Sequence, residues 1–535
     1  MRSRGRGIPA AVVVVVLSAL AGGALSSQVV TTQDREVRAT ERYHMYRAAL
    51  AAVEQHYVEP VDSAELVYGS IDGMLRTLDP HSSFLDPRLF KQMQERQEGH
   101  YKGIGITIQK LSGGITVISI FEGSPAYRAG IRRNDVIARV GEEDASNFET
   151  QDVVDRVRGE EGTTVDISIR RPGVEKLIDL TVERAEIKMT TVRTAFMLAR
   201  GTGYVRLQDF ADTTNDELGA ALEKLSAEGM ERLVLDLRDN PGGPLVQAIA
   251  VSNRFLPKGK MIVYTRGRVP NADEDYHALQ QGEYTSLPLI VLVNRSSASA
   301  SEIVSGAVQD HDRGLVIGET TFGKALVQGV YKLRNGSGLA LTTGRYYTPS
   351  DRLIQRPWDG AFDEYLLYSL QDQNGDRQHA PEDLRFTEGG RKVYSGGGIE
   401  PDRFIPGPVE GFNPSRFSRL LKDRGAFISF AERFTKDGDT RPGAQSAARH
   451  KVAPGWQVTD ARVQEFKQFI AGERVRVDEA AFNADTAFIK AMIRFEVDAD
   501  LFGIEEARKN LIQVDPQAQA ALGYFDEARQ LMARR

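Results

Sequence analysis

The sequence predicts a multidomain α/β protein, and three observations carry that prediction. The chain has 535 residues, too many for one ordinary hydrophobic core; length alone gives about three or four domains as a prior. Between about Glu186 and Phe404, apolar strand-like runs alternate with helical patterns, as in a largely parallel sheet covered by helices. Between Gly103 and Glu183 the texture is short alternating strands set off by glycine turns, flanked on both sides by helical sequence.

The N-terminus reads as a targeting segment. Arg2, Arg4 and Arg6 precede an apolar run from Ile8 to Leu20, and small residues follow from Ala21 to Ser27. A charged start, an apolar middle and a small-residue exit are the parts of a secretory signal, with Ala24-Leu25-Ser26 as the cleavage site. The alternative is an uncleaved membrane anchor, since Ile8 to Leu25 is barely long enough to span a bilayer. Residues 1–27 are therefore a signal peptide or N-terminal anchor. The rest of the chain is expected to be exported, either periplasmic or membrane-anchored facing the periplasm or extracellular side. Residues 28–98 form an N-terminal helical region. Apolar residues recur at helical spacing over Ala39 to Tyr57 and Ala64 to Leu78, before a breaker with two Asp-Pro turns, Leu78 to Pro87.

Residues 99–185 carry the β-rich texture. Gly103-Ile104-Gly105-Ile106 opens it, Ile115 to Ile120 follows a Gly-Gly turn, and Asp135 to Val140, Val165 to Arg170 and Leu177 to Val182 are further strands. Thr150 to Val157 reads as a helix. This order resembles a circularly permuted PDZ domain of the bacterial protease-associated type, and "GSPAYRAGIRRNDVIARVGE" resembles its most recognisable element. The resemblance implies a peptide-binding loop at Gly103, Ile104, Gly105 and Ile106. There an extended peptide adds a strand to a sheet edge, and backbone N–H groups capture its terminal carboxylate.

Residues 186–405 form the larger α/β region. Its strands are Gly203 to Leu207, Leu233 to Leu237, Met261 to Tyr264, Leu289 to Val293, Leu315 to Ile317 and Gly338 to Thr343; helical patterns cover Asp216 to Glu228 and Leu245 to Phe255. From 406 to 535 the pattern is helical and polar, with a Gly/Pro/Ser-rich linker from Asp437 to Ala447. Packing or oligomer contact is the role expected of that extension.

Composition narrows the chemistry. The net charge of −6 is small for this length, and no basic block follows the N-terminus, so nucleic acid is not an expected partner. There are no cysteines, which removes disulfides, thiolate catalysis and Cys-ligated zinc together. The eight histidines are scattered; only His311 is near the serine-rich run, and it sits in a turn. Neither a Gly-x-Ser-x-Gly elbow nor a Ser-x-x-Lys motif occurs.

The stretch Asn294 to Gln328 concentrates what chemistry there is. After the strand Pro288 to Val293 comes Ser296-Ser297-Ala298-Ser299-Ala300-Ser301, then an amphipathic helical pattern. Read locally, this run is a helix cap, with Glu302 closing a capping box on Ser299. It can also be a nucleophile at a helix N-terminus. Serine needs a base, and lysine serves if desolvation lowers its pKa from about 10.4 toward neutrality. Lys324 has no acid within three residues on either side, and Gln328 lies four further on, in phase to orient an uncharged amine. Taken alone, Lys324 reads as an exposed strand lysine. Oxyanion donors are available at Ala300, on the helix start, and at Gly242 or Gly243, where Asn240-Pro241-Gly242-Gly243 ends a parallel strand.

Several motifs together resemble the carboxyl-terminal processing (tail-specific) serine proteases. They are Ser-Ala-Ser-Ala-Ser-Glu, Gly318-Glu319-Thr320-Thr321-Phe322-Gly323-Lys324-Ala325-Leu326-Val327-Gln328, Arg238-Asp239-Asn240-Pro241-Gly242-Gly243, Thr343 to Ser350, and Gly397-Gly398-Ile399-Glu400-Pro401-Asp402, besides the PDZ segment and Leu78 to Phe84. The resemblance covers about residues 40 to 405. It implies a crotonase-like α/β protease core with an inserted PDZ domain, Ser299 as nucleophile, Lys324 as base, Gln328 as its orienting partner, and no metal or cofactor. Expected partners are protein substrates engaged through their C-terminal tails, an activating or adaptor protein, and further copies of the chain in a homo-oligomer. Two departures bear on substrate access and oligomer geometry: Asp351-Arg352 stands where the family commonly has a glycine, and about 40 inserted residues run from Trp358 to roughly Ser395. Two other functions share these features, a catalytically silent PDZ scaffold and a crotonase-like acyl-CoA enzyme. The intact Ser, Lys and Gln set weighs against the first, export and the PDZ insertion against the second.

Overall fold

The computed structural model describes residues 40–111, 113–172, 174–270, 272–358, 364–365, 367–373, 377–435 and 452–533. The expected signal or anchor at 1–27 and the linker Asp437 to Ala447 lie outside the described residues. Among the described residues no helix is long and apolar enough to cross a membrane. The chain divides into two compact units, 1–86 and 87–535.

In the first unit, helices span 40–56 and Ser63–Arg76. Asp62 starts the second by accepting the Ala64 N–H at 2.7 Å, which satisfies one of the free donors of a helix start. The breaker is organised by Asp79. Its Oδ1 accepts the N–H groups of His81 and Ser82, each at 2.8 Å, and its Oδ2 accepts the Ser82 hydroxyl at 2.7 Å. A carboxylate that bonds its own chain two and three residues on stabilises a turn where Pro80 cannot extend a helix.

The second unit begins its β-rich part with β1 (His100–Gly103), β2 (Ile106–Leu111), β3 (Gly114–Ile120), β4 (Val136–Val140), helix α1 (Thr150–Val157), β5 (Thr164–Arg170), β6 (Ile178–Glu183) and β7 (Ala185–Lys188). Strands β2 to β6 form an antiparallel sheet in the order β2-β3-β4-β5-β6, which leaves one edge of β2 without a partner strand among the described residues. Val117, Ile137, Val153, Ile167 and Ile169 fill its core. Strands β1 and β7 pair antiparallel, Gly103 opposite Ala185, so the chain enters and leaves this sheet side by side.

The larger sheet contains β8 (Thr194–Ala199), β9 (Thr202–Arg206), β10 (Arg232–Asp236), β12 (Leu289–Val293), β13 (Leu315–Gly318) and β16 (Arg403–Phe404), in that order. Only the β8–β9 hairpin is antiparallel; every other pairing is parallel. A second sheet holds β11 (Met261–Gly267), β14 (Leu326–Lys332) and β15 (Gly338–Tyr347), with β15 between the other two.

Alternation along the strands shows that both faces of the parallel sheet are buried. Leu233, Leu235, Leu289, Val291 and Val293 face helices α2 (Thr214–Ala227), α3 (Leu245–Asn253) and α4 (Ala300–Asp310). Val234, Ile290, Leu292, Leu315 and Ile317 face the C-terminal end of the chain, where Ile512, Ala518, Ala521, Phe525 and Ala528 meet them. Those residues end α6 (Ile504–Ile512), which follows α5 (Thr486–Leu501), or lie on α7 (Pro516–Leu522) and α8 (Phe525–Ala533). Burying an Ile, Leu or Phe side chain contributes about 1.5–3 kcal/mol, so five bare aliphatic side chains on the second face require a cover. The helical extension thus packs on the parallel sheet, one of the two roles its sequence suggests. Arg238, just past β10, joins the two parts: it lies 2.6 Å from both Asp236 and Asp515, three groups almost wholly out of water.

Asp351, at the position where a glycine is usual in the resembled family, has φ of 60°. A short polar side chain tolerates that left-handed conformation better than most others, and its Oδ1 accepts the Tyr264 hydroxyl at 3.0 Å.

Candidate active site

Strand β12 is apolar throughout and delivers the chain to the C-terminal end of the parallel strands, where polar side chains take over its main chain. The Asn294 N–H donates to Ser297 Oγ (2.9 Å), and Ser297 Oγ donates to the Leu237 carbonyl (2.8 Å). The Ala298 N–H donates to the Asn240 carbonyl (3.0 Å), as does Ser301 Oγ (3.0 Å). The serine-rich run is therefore clamped to the Asn240-Pro241-Gly242-Gly243 turn. Within it, Ser299 takes φ 55° and ψ −113°, a conformation that costs a non-glycine residue of order 1–3 kcal/mol and persists only where its surroundings impose it. Half-buried Ser299 is thus held at a sharp strand-to-helix corner. Helix α4 follows, buried along its whole length rather than amphipathic as its sequence suggests. Its polar side chains are satisfied inside the fold, as where Ser305 Oγ donates to the Ser301 carbonyl (2.8 Å) and Arg352 pairs with Asp310 (2.5 Å).

Glu302 closes the expected capping box with Ser299, and it does more than cap. Its carboxylate, 0 % exposed, accepts four hydrogen bonds. Oε1 takes the Thr321 hydroxyl (2.5 Å) and the Gly323 N–H (2.7 Å); Oε2 takes the Ser299 N–H (2.8 Å) and the Lys324 N–H (2.9 Å). Burial pushes its pKa from the ordinary 4.5 up to about 7, against the four donors that pull it down. Ser299 and Lys324, 25 residues apart in sequence, are thereby tied to a single oxygen. Tyr346, itself buried, makes a second tie, its hydroxyl reaching the Lys324 carbonyl (2.5 Å) and the Ser299 carbonyl (3.2 Å). Nothing in the spacing of the chain identifies Tyr346. The sequence does mark Glu302, as a cap, but not its hold on Lys324.

Lys324 is half-buried and precedes β14. Its Nζ donates to Gln328 Oε1 at 3.0 Å, so the proposed phase of the two side chains is realised. The Ala325 N–H donates to Gln355 Oε1 at 2.8 Å. The insertion packs beside this loop, with Tyr365 and Tyr368 edge-on to Phe322 at 5.4 and 6.1 Å between ring centres. His311 stands at the far end of α4, about 18 Å from Ser299 along the helix axis at about 1.5 Å per residue. Its ring nitrogens meet Glu388 (3.0 Å) and the Met261 carbonyl (2.6 Å).

The two glycines of the turn differ. Gly242 (φ 95°) faces Ser299 so closely that a Cβ there would come 2.8 Å from the serine Cβ and 2.7 Å from the Ala298 carbonyl oxygen. Its N–H, however, donates to Asn240 Oδ1 at 2.9 Å. As an oxyanion donor Gly242 is therefore corrected: it permits close approach, and its proton is already used. The N–H groups of Gly243 and Ala300 have no acceptor among the described residues.

Gly103, Ile104, Gly105 and Ile106, the residues expected to bind peptide, form a separate place in the fold. Their neighbours are Tyr101, Ser124, Arg158 and Ile187, none of which belongs to the Ser299 cluster. The Ile104 carbonyl accepts the Ala126 N–H (2.9 Å) and the Gly105 carbonyl the Phe121 N–H (3.0 Å). The N–H groups of Ile104 and Gly105 have no acceptor among the described residues and lie at the start of edge strand β2.

Comparison with known proteins gives this geometry a family. Residues 201–360 match peptidase family S41, 92–170 match the PDZ domain, and 12–88 match the N-terminal domain of the activating protease CtpB. A carboxy-terminal-processing protease of Bartonella bacilliformis is 40% identical over 308 residues, covering 57% of this chain and 70% of the relative. The carboxy-terminal processing protease CtpA of Bacillus subtilis is 32% identical over 343 residues, covering 64% and 73%. The chain belongs to peptidase family S41, among the carboxy-terminal processing proteases. It is a serine-type peptidase with an α/β core and a PDZ domain. Among solved structures, a photosystem II D1 C-terminal processing protease is 32% identical, with 57% of this chain and 83% of that one covered at a TM-score of 0.33.

Proposed function

We propose that this peptidase is an exported endopeptidase that cleaves proteins presented by their C-terminal tails, with Ser299 as nucleophile and Lys324 as general base. The observation that carries the reading is the shared acceptor: one Glu302 oxygen takes the main-chain N–H groups of both residues, while Gln328 receives the Lys324 amine. Ser299 Oγ attacks the peptide carbonyl carbon as its proton passes to an uncharged Lys324 Nζ. The tetrahedral oxyanion is met by the N–H groups of Gly243 and Ala300. Lys324 then returns the proton to the departing amine, leaving an acyl-enzyme ester that water hydrolyses with the same base. Gln328 orients the amine without adding charge.

Tail recognition is assigned to the β2 edge and the two unpartnered N–H groups of Ile104 and Gly105, an arrangement suited to a terminal carboxylate. Export rests on the Arg-rich, apolar and small-residue order of the first 27 residues, with a cleaved signal and a retained anchor as its two forms. An activating or adaptor protein and a homo-oligomer belong to the same proposal.

The test is a proteome comparison of cells carrying wild type or Ser299→Ala, reading new protein C-termini in the exported fraction. Termini that need Ser299 support the reading. An unchanged set of termini, with the variant folded and still binding tail peptides, overturns it in favour of a silent PDZ scaffold.

A further inference from the structure

A small cavity of about 80 Å³ lies between the β8–β9 hairpin and helices α5 and α6, apart from the peptidase site. Its polar lining is Thr194, Arg206, Gln208, Glu410 and Arg508. The hydrogen-bond inventory of these groups does not close. The hydroxyl of Thr194, a residue only 6 % exposed, has no partner, and neither does the buried Nε of Arg206. The outer nitrogens of Arg206 are occupied, reaching Glu410 (3.3 Å) and Asp239 (3.0 Å). Arg508 has neither an ion pair nor a hydrogen bond among the described residues. Its guanidinium is held down to about 10, first by burial and then by the like charges of Arg206 and Arg193.

Arg508 is partly exposed, but Arg206 Nε and the Thr194 hydroxyl are out of water with no partner, and burying a polar group unpaired is costly. Here two guanidinium groups line one cavity with a single carboxylate, Glu410, which Arg206 already engages. The remaining unpaired groups, Arg206 Nε, the Arg508 fork and the Thr194 hydroxyl, can all donate. Donors that line one hollow without acceptors of their own are complementary to an oxyanion, and a guanidinium fork matches two oxygens of a tetrahedral one. At about 80 Å³ the space admits an anion of phosphate size and excludes a nucleotide or a peptide.

We propose that this cavity is a binding site for a small tetrahedral oxyanion, phosphate or sulfate, that staples the C-terminal helices to the β8–β9 hairpin. The anion would take Arg508 through its fork, Arg206 through Nε, and Thr194 through its hydroxyl. Arg206 also holds Asp239, three residues before Gly242, so the staple stands one ion pair away from the turn beside Ser299.

The test uses the full chain, purified without phosphate or sulfate, and measures thermal unfolding against added sodium phosphate with sodium chloride at matched ionic strength as the control. Wild type is expected to show a saturable rise of at least about 3 °C, as a ligand bound only by the folded state produces. Arg508→Gln should lose that saturable rise and, with no anion present, should melt no lower than wild type, because it removes a partly buried cation that makes no ion pair among the described residues. Thr194→Val, which keeps both charges, should need several-fold more phosphate for the same shift. The proposal is overturned if the phosphate response is linear and equal in wild type and both variants, the behaviour of general salting. It is also overturned if Arg508→Gln lowers the anion-free melting point while retaining the saturable rise.

Discussion

Replacing Glu302 by Gln is the most informative single change at this site. All four bonds to Glu302 come from donors, so an amide must turn its NH2 toward two of them. Either the Ser299 and Lys324 N–H groups or the Thr321 hydroxyl and Gly323 N–H lose their acceptor. Leaving two buried donors unsatisfied costs about 1–3 kcal/mol each, hence about 2–6 kcal/mol in all. If only the lower figure reaches the transition state, hydrolysis slows about 30-fold. The pH dependence gives a second, independent readout. Folding raises the Glu302 pKa from 4.5 to about 7, so the folded protein holds this proton more tightly than the unfolded chain. The resulting stabilisation is complete below pH 4.5 and is lost as pH rises through 7, about 3 kcal/mol over the interval. Activity should run the opposite way, because an ionised carboxylate can hold both the Ser299 and Lys324 N–H groups while a protonated one must release a donor. Chemical denaturation of wild type and Glu302→Gln from pH 4.5 to 8, beside peptidase assays over the same range, tests both. The stability gap between them should change by about 3 kcal/mol across the range. A gap that stays constant refutes the buried titration, and undiminished hydrolysis by the variant refutes the brace.

Other perturbations separate the remaining parts. Gly105→Ala puts a Cβ 2.3 Å from the Ser124 Cβ at a φ of +83°, and should abolish tail-peptide binding measured by fluorescence anisotropy while a short unanchored substrate is still cleaved. Gly243→Ala brings a Cβ within 2.1 Å of the Phe210 carbonyl oxygen, and should lower kcat at least 100-fold, about the effect of losing one oxyanion donor, with tail binding intact. Because the base must be uncharged, kcat/KM is expected to rise with pH, and an acid optimum would exclude Lys324 from that role. Arg238→Met leaves Asp236 and Asp515 buried and unpaired. It should cost about 3–5 kcal/mol in urea unfolding, unlike an exposed arginine such as Arg88, whose loss should be near neutral.

How far the sequence reaches is set by the range of each interaction. The strands around Leu233 and Leu289 were legible because burial on both faces leaves unbroken apolar runs, and the Ser299–Glu302 cap because both partners lie within one helical turn. Lys324 shows the limit: with no acid in its sequence neighbourhood it reads as a plain strand lysine, yet in the fold its N–H meets a carboxylate that begins 22 residues earlier. Gly242 and Gly243 are indistinguishable as letters, and only the Asn240 side chain decides which keeps a free proton. The tail of the chain is the largest case. Its helical, polar pattern suggests packing or oligomer contact without saying against what; in the fold Ile512, Ala518, Ala521, Phe525 and Ala528 supply the missing cover of the central sheet, and Asp515 completes the pairing of Arg238. Arg238 stands at the end of β10, four residues before Gly242. The turn that approaches Ser299 is therefore anchored from behind by a carboxylate on the final helices. Truncation after residue 405 should disable the peptidase as well as destabilise it, measured by peptide hydrolysis beside urea unfolding, even though Ser299, Lys324 and Gln328 all precede 405.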